Sequence, residues 1–165
     1  MILIIDNHDS FTYNLVQYVG RFSDNILIVK NDQMGIDEID FDNISHIIIS
    51  PGPGRPEDTK LALNVIDHAR DNKIPLLGIC LGHQAIAYKY DTKIIHARNV
   101  MHGKVSVISP QGKSTILNNI NKPFKATRYH SLVISSKSLS NKFNITSFSD
   151  DGEIMSIEHK DLPLY

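Results

Sequence analysis

The sequence contains a single cysteine, Cys80, among its 165 residues. One cysteine excludes an internal disulfide framework and indicates a reducing compartment. Basic and acidic residues nearly balance, at 17 and 18, so charge gives no reason to expect a nucleic-acid partner or an anionic membrane. No stretch approaches the roughly 20 apolar residues of a membrane span. We therefore expect a soluble, cytoplasmic protein.

The start of the chain, MILIIDNHDS, lacks the basic region of a signal peptide and soon turns polar. Apolar residues make up 41% of the chain and charged residues 21%, which is ordinary for a globular protein. The length fits one domain with a full core. We expect residues 1–165 to form a single domain.

The first half of the chain alternates short apolar runs with helical patterns. Buried strands are predicted at Ile2–Ile5, Ile26–Val29, Ile47–Ile49 and Pro75–Ile79. Helices are predicted around the stripe Phe11, Leu15, Val19 and Phe22, around the stripe Leu61, Ala62, Val65, Ile66 and Ala69, and from Leu81 to about Tyr90. Asp9 or Ser10 is the expected cap of the first helix. This alternation is typical of an open, mostly parallel α/β sheet with helices on both faces.

The second half is dominated by short β-like runs. They lie at Lys93–Ile95, Lys104–Ile108, Phe124–Tyr129, Asn144–Phe148 and Ile154–Glu158. The segment Ser149–Gly152 between the last two is typical of a hairpin turn. We expect a small antiparallel β portion here.

Cys80 lies in the segment Gly78–Gly82, between a predicted strand and a predicted helix. A glycine two residues to either side of a nucleophile, in this context, is typical of a nucleophile elbow. The helix N-terminus should favour the thiolate, and the Leu81 backbone N–H could stabilise an oxyanion. The alternative is a small buried hydrophobe, the commoner fate of a lone cysteine.

The loop Ser50–Gly54 follows the third predicted strand and should lie at the same sheet edge as Cys80. Its two prolines carry no N–H, so Gly52 and Gly54 are the donors within this proline-glycine run. Gly52 could face an oxyanion opposite Leu81. The alternative is a plain turn, and the absence of a following Lys-Ser/Thr disfavours a phosphate loop.

Five segments together resemble the class I glutamine amidotransferases, in particular the small glutaminase subunits of anthranilate synthase and aminodeoxychorismate synthase. They are DNHDSFTYN at 6–14, SPGPG at 50–54, GICLGHQ at 78–84, MHGK at 101–104 and RYHSL at 128–132. The resemblance implies a catalytic Cys80, with Gly52 and Leu81 as oxyanion donors. It implies a glutamine site made by Gly52, Gly54, Gln84, Ser131 and Leu132.

The resemblance further implies that L-glutamine is the substrate and that ammonia passes to a larger, chorismate-binding synthase subunit. No cofactor or metal is expected. The exposed edge of Asn7–Asn14 could face that partner or be merely a helix cap with a core stripe. Met101–Lys104 could also be an interface or a turn before a strand.

The sequence departs from this family in two places. The family completes its catalytic machinery with a His-Pro-Glu segment that is absent from these residues, so we expect a C-terminally incomplete domain that is impaired when made alone. His83, His130 and His159 are weak candidates for the base. The competing functions are a cysteine-dependent α/β-hydrolase and an inactive regulatory subunit. Asp91 stands where the family has a Gly-Gly turn, and it can take a left-handed conformation.

Overall fold

The computed structural model describes residues 1–120 and 123–165, which form two compact units. The first unit comprises residues 1–89 with 162–164, and the second comprises residues 90–161 with 165. None of the helices described is both long and apolar enough to cross a membrane.

The first unit is built on a parallel sheet in the order β2-β1-β3-β4. Its strands are β1 (Ile2–Asp6), β2 (Ile26–Lys30), β3 (His46–Ile49) and β4 (Leu76–Gly78). In register, Ile2 lies beside both Ile26 and His46, and Ile47 lies beside Leu76. All four strands were predicted, because a strand buried on both faces has a continuous apolar run.

Three helices accompany this sheet: α1 (Thr12–Val19), α2 (Lys60–Asn72) and α3 (Leu81–Tyr88). The crossovers through α1 and α2 run in opposite directions along the sheet, so right-handed connections put these helices on opposite faces. The predicted stripe of α2 is confirmed, because its five apolar residues are all buried. A short 3-10 turn at Pro56–Asp58 precedes α2.

The predicted core stripe of α1 is wrong in part. Phe11 is 50% exposed and Phe22 is 89% exposed, and Leu15 and Val19 are only half-buried. The predicted cap is also different: Phe11 precedes the helix, and the Asp9 carboxylate accepts its N–H at 2.8 Å. Asp9 therefore stabilises the start of α1 from a position two residues before the N-cap, Phe11.

Residues 162–164 lie along the outer edge of this sheet. The Leu76 N–H of β4 donates to the Pro163 carbonyl at 2.9 Å, and Leu164 forms an isolated parallel bridge with Leu76. The Leu164 side chain is buried. This segment therefore pairs with the edge of β4 that faces away from β3, and it runs parallel to the other strands.

The second unit is antiparallel, as predicted. Its strands are β5 (Ile94–His96), β6 (Lys104–Pro110), β7 (Phe124–Arg128), β8 (Leu132–Ile134), β9 (Phe143–Ser149) and β10 (Ile154–His159). They form one sheet in the order β10-β9-β6-β7 and a second sheet of β5 and β8. The strand β8 was not predicted.

Two turns of the second unit match their predictions. In the hairpin between β9 and β10, the Gly152 N–H donates to the Ser149 carbonyl at 2.9 Å. Asp91 has φ 59°, the left-handed conformation that short polar side chains tolerate. The altered turn after α3 is thus accommodated by the aspartate itself.

Candidate active site

Cys80 lies between the end of β4 and the start of α3, immediately before the first residue of the helix. Its backbone has φ 53° and ψ −104°, a conformation that L-residues rarely adopt. Strain of this kind persists only where the surroundings enforce it, and it concentrates at functional sites. The predicted strained turn is therefore present, and it puts Cys80 at the carboxyl end of a parallel strand.

The two flanking glycines are explained by close packing. A Cβ on Gly78 would lie 2.5 Å from the carbonyl atoms of Gly82, and a Cβ on Gly82 would lie 2.4 Å from the carbonyl oxygen of Ile49. Because these neighbours are backbone atoms, no side-chain rotation could relieve either clash. The absence of a side chain at Gly78 thus allows its close contact with Gly82 across the turn, and its absence at Gly82 allows the turn to pack against Ile49 of β3.

The thiol of Cys80 does not have the depressed pKa that its helix position predicts. Burial raises the pKa of the Cys80 thiol, and the nearby Asp9 carboxylate raises it further, while the Leu81 backbone N–H lowers it. The net direction is upward, so the predicted preference for thiolate is wrong. The physical reason is desolvation of the charged form, which outweighs the hydrogen bond from the Leu81 backbone N–H.

The loop after β3 packs directly against this turn. A Cβ on Gly52 would lie 2.5 Å from the Asn7 Cβ, 2.6 Å from the Asn7 carbonyl oxygen and 3.0 Å from the Leu81 Cδ2. Gly52 is therefore fixed between the end of β1 and the start of α3. The structure brings together Gly52 and Leu81, the two residues predicted as oxyanion donors.

Asn7 anchors the beginning of that loop. Its backbone N–H donates to the Ser50 hydroxyl at 2.9 Å, and its side-chain Nδ2 donates to the Ser50 carbonyl at 2.9 Å. The Ser50 hydroxyl donates in turn to the Pro51 carbonyl at 2.6 Å. Asn7 and Ser50 are both buried, so these bonds are shielded from water. This contribution of Asn7 was missed, although the residue lies in the DNHDSFTYN motif.

Two further predicted site residues lie in the first unit. Gln84 is buried one turn into α3, and its N–H donates to the Cys80 carbonyl at 3.0 Å. Gly54 is exposed, with φ 82°, at the far end of the proline-glycine loop. A positive φ of this size favours glycine, which explains the residue without reference to a ligand.

Ser131 and Leu132 belong to the second unit, where Ser131 directly precedes β8 and Leu132 is its first residue. The Ser131 carbonyl accepts the Ala97 N–H at 2.8 Å, and the Leu132 carbonyl contacts the His130 Nδ1 at 3.1 Å. The Ser131 side chain is exposed, whereas Leu132 is half-buried. The MHGK segment packs on the same stretch: the Met101 N–H donates to the His130 carbonyl at 3.0 Å.

The histidines considered as bases have different surroundings. His83 is half-buried on α3, in the first unit. His159 packs with Tyr90 and Phe143 at ring-centroid distances of 5.3 and 5.2 Å. Burial lowers the pKa of His159 and also that of His130. Over residues 1–120 and 123–165, no cluster of three or more His, Cys, Asp or Glu is arranged to hold a metal ion.

The fold and the cysteine turn define an α/β protein with a turn of nucleophile-elbow geometry. The family described as glutamine amidotransferase class-I matches residues 3–165. A solved structure of a glutamine amidotransferase from Thermotoga maritima shares the fold, with a TM-score of 0.81 at 14% identity. That likeness covers 99% of this chain and 72% of the other.

Two curated relatives are much closer in sequence. The aminodeoxychorismate/anthranilate synthase component 2 of Bacillus subtilis is 45% identical over 164 residues, which cover 99% of this chain and 84% of that protein. The bifunctional protein TrpGD of Thermotoga maritima is 46% identical over 166 residues, which cover 99% of this chain but only 28% of that protein. The chain belongs to the class I glutamine amidotransferase family.

Proposed function

We propose that this chain hydrolyses L-glutamine through Cys80 and supplies the ammonia to a larger, chorismate-binding synthase subunit. The observation that carries the proposal is the strained Cys80 turn, packed at the carboxyl end of β4 against the Gly52 loop. A relative named as a component of aminodeoxychorismate and anthranilate synthase supports the partner. The choice between those two products belongs to the partner's chemistry.

In the proposed reaction, the Cys80 sulphur attacks the side-chain amide carbon of glutamine. The carbonyl oxygen becomes an oxyanion, which the N–H groups of Gly52 and Leu81 stabilise as the tetrahedral intermediate forms. Collapse of that intermediate breaks the C–N bond, protonates the leaving nitrogen and releases ammonia, leaving a γ-glutamyl thioester. Water then hydrolyses the thioester to glutamate. Within the first unit, Gln84 and Gly54 are the residues proposed to bind the amino-acid end of the substrate.

This chemistry needs a group that removes the thiol proton and returns a proton to the leaving nitrogen. The raised pKa of Cys80 makes the need greater, because little thiolate forms without a base. Family members carry that base in a His-Pro-Glu segment, a tripeptide that does not occur among these 165 residues. We therefore propose that this polypeptide is impaired when made alone.

The partner surface is proposed to include α1 and its flanks. Four aromatic side chains there are exposed: Phe11 at 50%, Tyr13 and Tyr18 at 62%, and Phe22 at 89%. Aromatic residues are enriched in the buried centres of protein interfaces, and clustered exposed apolar residues mark interaction sites. This exposure supports the interpretation that the Asn7–Asn14 edge faces the synthase.

The proposed function is tested by co-expressing this polypeptide, extended through a His-Pro-Glu segment, with its synthase partner. We expect glutamine-dependent amination of chorismate, and co-elution of the two proteins on size exclusion. Ester hydrolysis without glutaminase activity would instead favour a cysteine-dependent hydrolase. Binding to the synthase without any glutamine turnover would favour a regulatory role.

Gly52→Ala should reduce glutamine turnover in the active complex by about a hundredfold. The added Cβ would meet Asn7 at 2.5 Å, so the loop must shift, and a displacement of about 1 Å at a catalytic group costs on the order of a hundredfold. Steady-state kinetics with glutamine would measure the effect. Gly35→Ala is the matched control, because its Cβ would meet nothing closer than 3.7 Å. Normal turnover in Gly52→Ala would remove Gly52 from the oxyanion site.

A further inference from the structure

The Ser50 hydroxyl lies at the junction between β3 and the loop that contains Gly52. Ser50 is fully buried, so water does not compete for this hydroxyl. Its oxygen accepts the Asn7 backbone N–H at 2.9 Å. Because the N–H can only donate and a hydroxyl has a single proton, that proton goes to the Pro51 carbonyl, at 2.6 Å. The end of β1 therefore sets the direction in which the Ser50 hydroxyl donates.

The hydrogen bond to the Pro51 carbonyl orients the peptide group that carries the Gly52 N–H. The Pro51 carbonyl and the Gly52 N–H belong to one planar unit, and this peptide is trans. In a trans peptide the C=O and N–H bonds point in opposite directions. Since the carbonyl oxygen is held by the Ser50 hydroxyl, the Gly52 N–H is directed away from Ser50.

The Gly52 N–H is available to a ligand. No group of residues 1–120 and 123–165 accepts it, and within the same residues the Ser50 hydroxyl is the one donor to the Pro51 carbonyl. Packing restricts where Gly52 lies, because a Cβ added there would come within 2.5 Å of the Asn7 Cβ. Packing thus fixes the position of Gly52, and the Ser50 hydroxyl fixes the direction of its N–H.

The backbone of Ser50 is itself held on both sides. Its N–H donates to the Ile5 carbonyl at 3.0 Å, and its carbonyl accepts the Asn7 Nδ2 at 2.9 Å. The Asn7 Oδ1 is buried, and no donor to it is found in the part of the chain that the structure describes, 1–120 and 123–165. A buried amide oxygen without a donor lowers stability, so stability alone does not explain an asparagine here. Departures of this kind are expected at functional sites.

Leu81 connects this loop to the thiol. Its Cδ2 would lie 3.0 Å from a Cβ on Gly52, and its backbone N–H donates to the Cys80 sulphur. The residue that contacts Gly52 is therefore also the one that donates to the nucleophile. In the proposed reaction, the oxyanion forms on the carbon that this sulphur attacks, and it needs donors that are already aimed at it.

We propose that Ser50 and Asn7 are positioning residues for the oxyanion: through the Pro51 carbonyl they fix the direction of the Gly52 N–H. The inference rests on the proposed function, in which Gly52 and Leu81 stabilise the oxyanion. Neither Ser50 nor Asn7 is required to touch the substrate. Because the oxyanion exists only after attack, a misdirected donor lowers kcat and leaves KM unchanged.

The test is steady-state glutamine hydrolysis by the active complex, with the polypeptide extended through a His-Pro-Glu segment. Ser50→Ala should lower kcat about tenfold to a hundredfold, with KM within about twofold of wild type, because the donor is misdirected and not lost. Asn7→Ala keeps the backbone N–H and the Cβ but loses the bond to the Ser50 carbonyl. It should lower kcat about fivefold, the factor for one neutral hydrogen bond, and serves if Ser50→Ala folds poorly.

Combination with Gly52→Ala tests whether Ser50 acts through Gly52. Gly52→Ala displaces the loop by itself, so the direction set by the Ser50 hydroxyl no longer matters in that background. The double variant should therefore be within about threefold of Gly52→Ala alone, whereas independent effects would multiply.

Matched controls lose similar hydrogen bonds elsewhere in the first unit. Thr59 is buried, and its hydroxyl donates to the Pro56 carbonyl at 2.7 Å. Asn31 directly follows β2, as Asn7 follows β1, and its Oδ1 accepts the Ala62 N–H at 3.0 Å. Thr59→Ala and Asn31→Ala should lower the thermal unfolding midpoint and leave kcat at the wild-type value.

Alkylation of Cys80 by iodoacetamide separates a misdirected donor from damage to the cysteine turn. The sulphur displaces iodide from the methylene carbon and forms a thioether, while the thiol proton passes to water. The carbonyl of the reagent is not attacked, so no oxyanion forms. The alkylation rate should be the same in Ser50→Ala, Asn7→Ala and wild type.

Wild-type kcat in both Ser50→Ala and Asn7→Ala, or a raised KM at unchanged kcat, would overturn the positioning role. Losses that multiply in the double variant would overturn it as well, and so would alkylation that slows in parallel with turnover. Failure of the proposed function has a different signature. The wild-type complex would then aminate chorismate with added ammonia but not hydrolyse glutamine, and the positioning role would fall with it.

Discussion

Replacing Cys80 by serine in the active complex is expected to abolish glutamine hydrolysis while the fold is retained. A hydroxyl is a far weaker nucleophile than a thiolate, and removing a nucleophile costs many orders of magnitude in turnover, here about 10⁴-fold or more. Serine is similar in size, and it meets the same backbone conformation of φ 53°. Measurement of glutamate formation and of the thermal unfolding midpoint would check both parts.

Synthase activity with externally supplied ammonia is the control for that variant. It should be retained in Cys80→Ser, because amination of chorismate belongs to the partner in the proposed function. Retained glutamine turnover would show that Cys80 is not the nucleophile. Loss of both activities together with a lowered unfolding midpoint would mean that the thiol is needed for folding, which would support the interpretation of Cys80 as a core residue.

The parallel sheet could be predicted from the sequence because strands that are buried on both faces are apolar along nearly their whole length. Ile2 to Ile5 is continuously apolar, and Leu3, Ile4 and Ile5 are fully buried. The α1 helix shows the limit of that reasoning. Its periodicity correctly indicates an apolar face, but periodicity cannot tell whether the face meets the core or solvent. Phe22, predicted to lie on that face, follows the end of α1 and is 89% exposed.

The strand β8 escaped prediction for a different reason. It has only three residues, Leu132–Ile134, and its partner β5 is equally short. Three residues give too few alternations to define a period, and the pairing joins segments that are far apart in sequence. The motif RYHSL ends at the first residue of β8, so the resemblance marked the position without revealing its structure.

The geometry of the cysteine turn could be predicted from the sequence, whereas the pKa of its thiol could not. The segment from Gly78 to Gly82 indicated the turn, and the packing of both glycines accounts for it. The pKa of Cys80 was predicted in the wrong direction, because the helix terminus is visible in the sequence and the depth of burial is not. The role of Asn7 was missed for a similar reason: its hydrogen bonds to Ser50 join residues 43 positions apart.

The raised pKa of Cys80 leads to the second large prediction, which concerns the need for a base. Within the first unit, burial and the Asp9 carboxylate raise the pKa of the thiol, and the Leu81 N–H lowers it by less. A polypeptide of these 165 residues should therefore release ammonia roughly 10²- to 10⁴-fold more slowly than one that continues through a His-Pro-Glu segment. Single-turnover and steady-state ammonia release would compare the two.

An L-amino acid of glutamine's length with a terminal chloromethyl ketone should still label Cys80 in the shorter polypeptide, although slowly, because chloride leaves without needing a proton and the oxyanion donors remain. A third polypeptide, with Ala-Pro-Glu in place of His-Pro-Glu, is the matched control for length and should be as slow as the shortest. Steady ammonia release from the 165 residues at the rate of the longest form would contradict the prediction. His83, His130 or His159 would then have to act as the base, and Cys80 variants combined with each histidine change would identify which one.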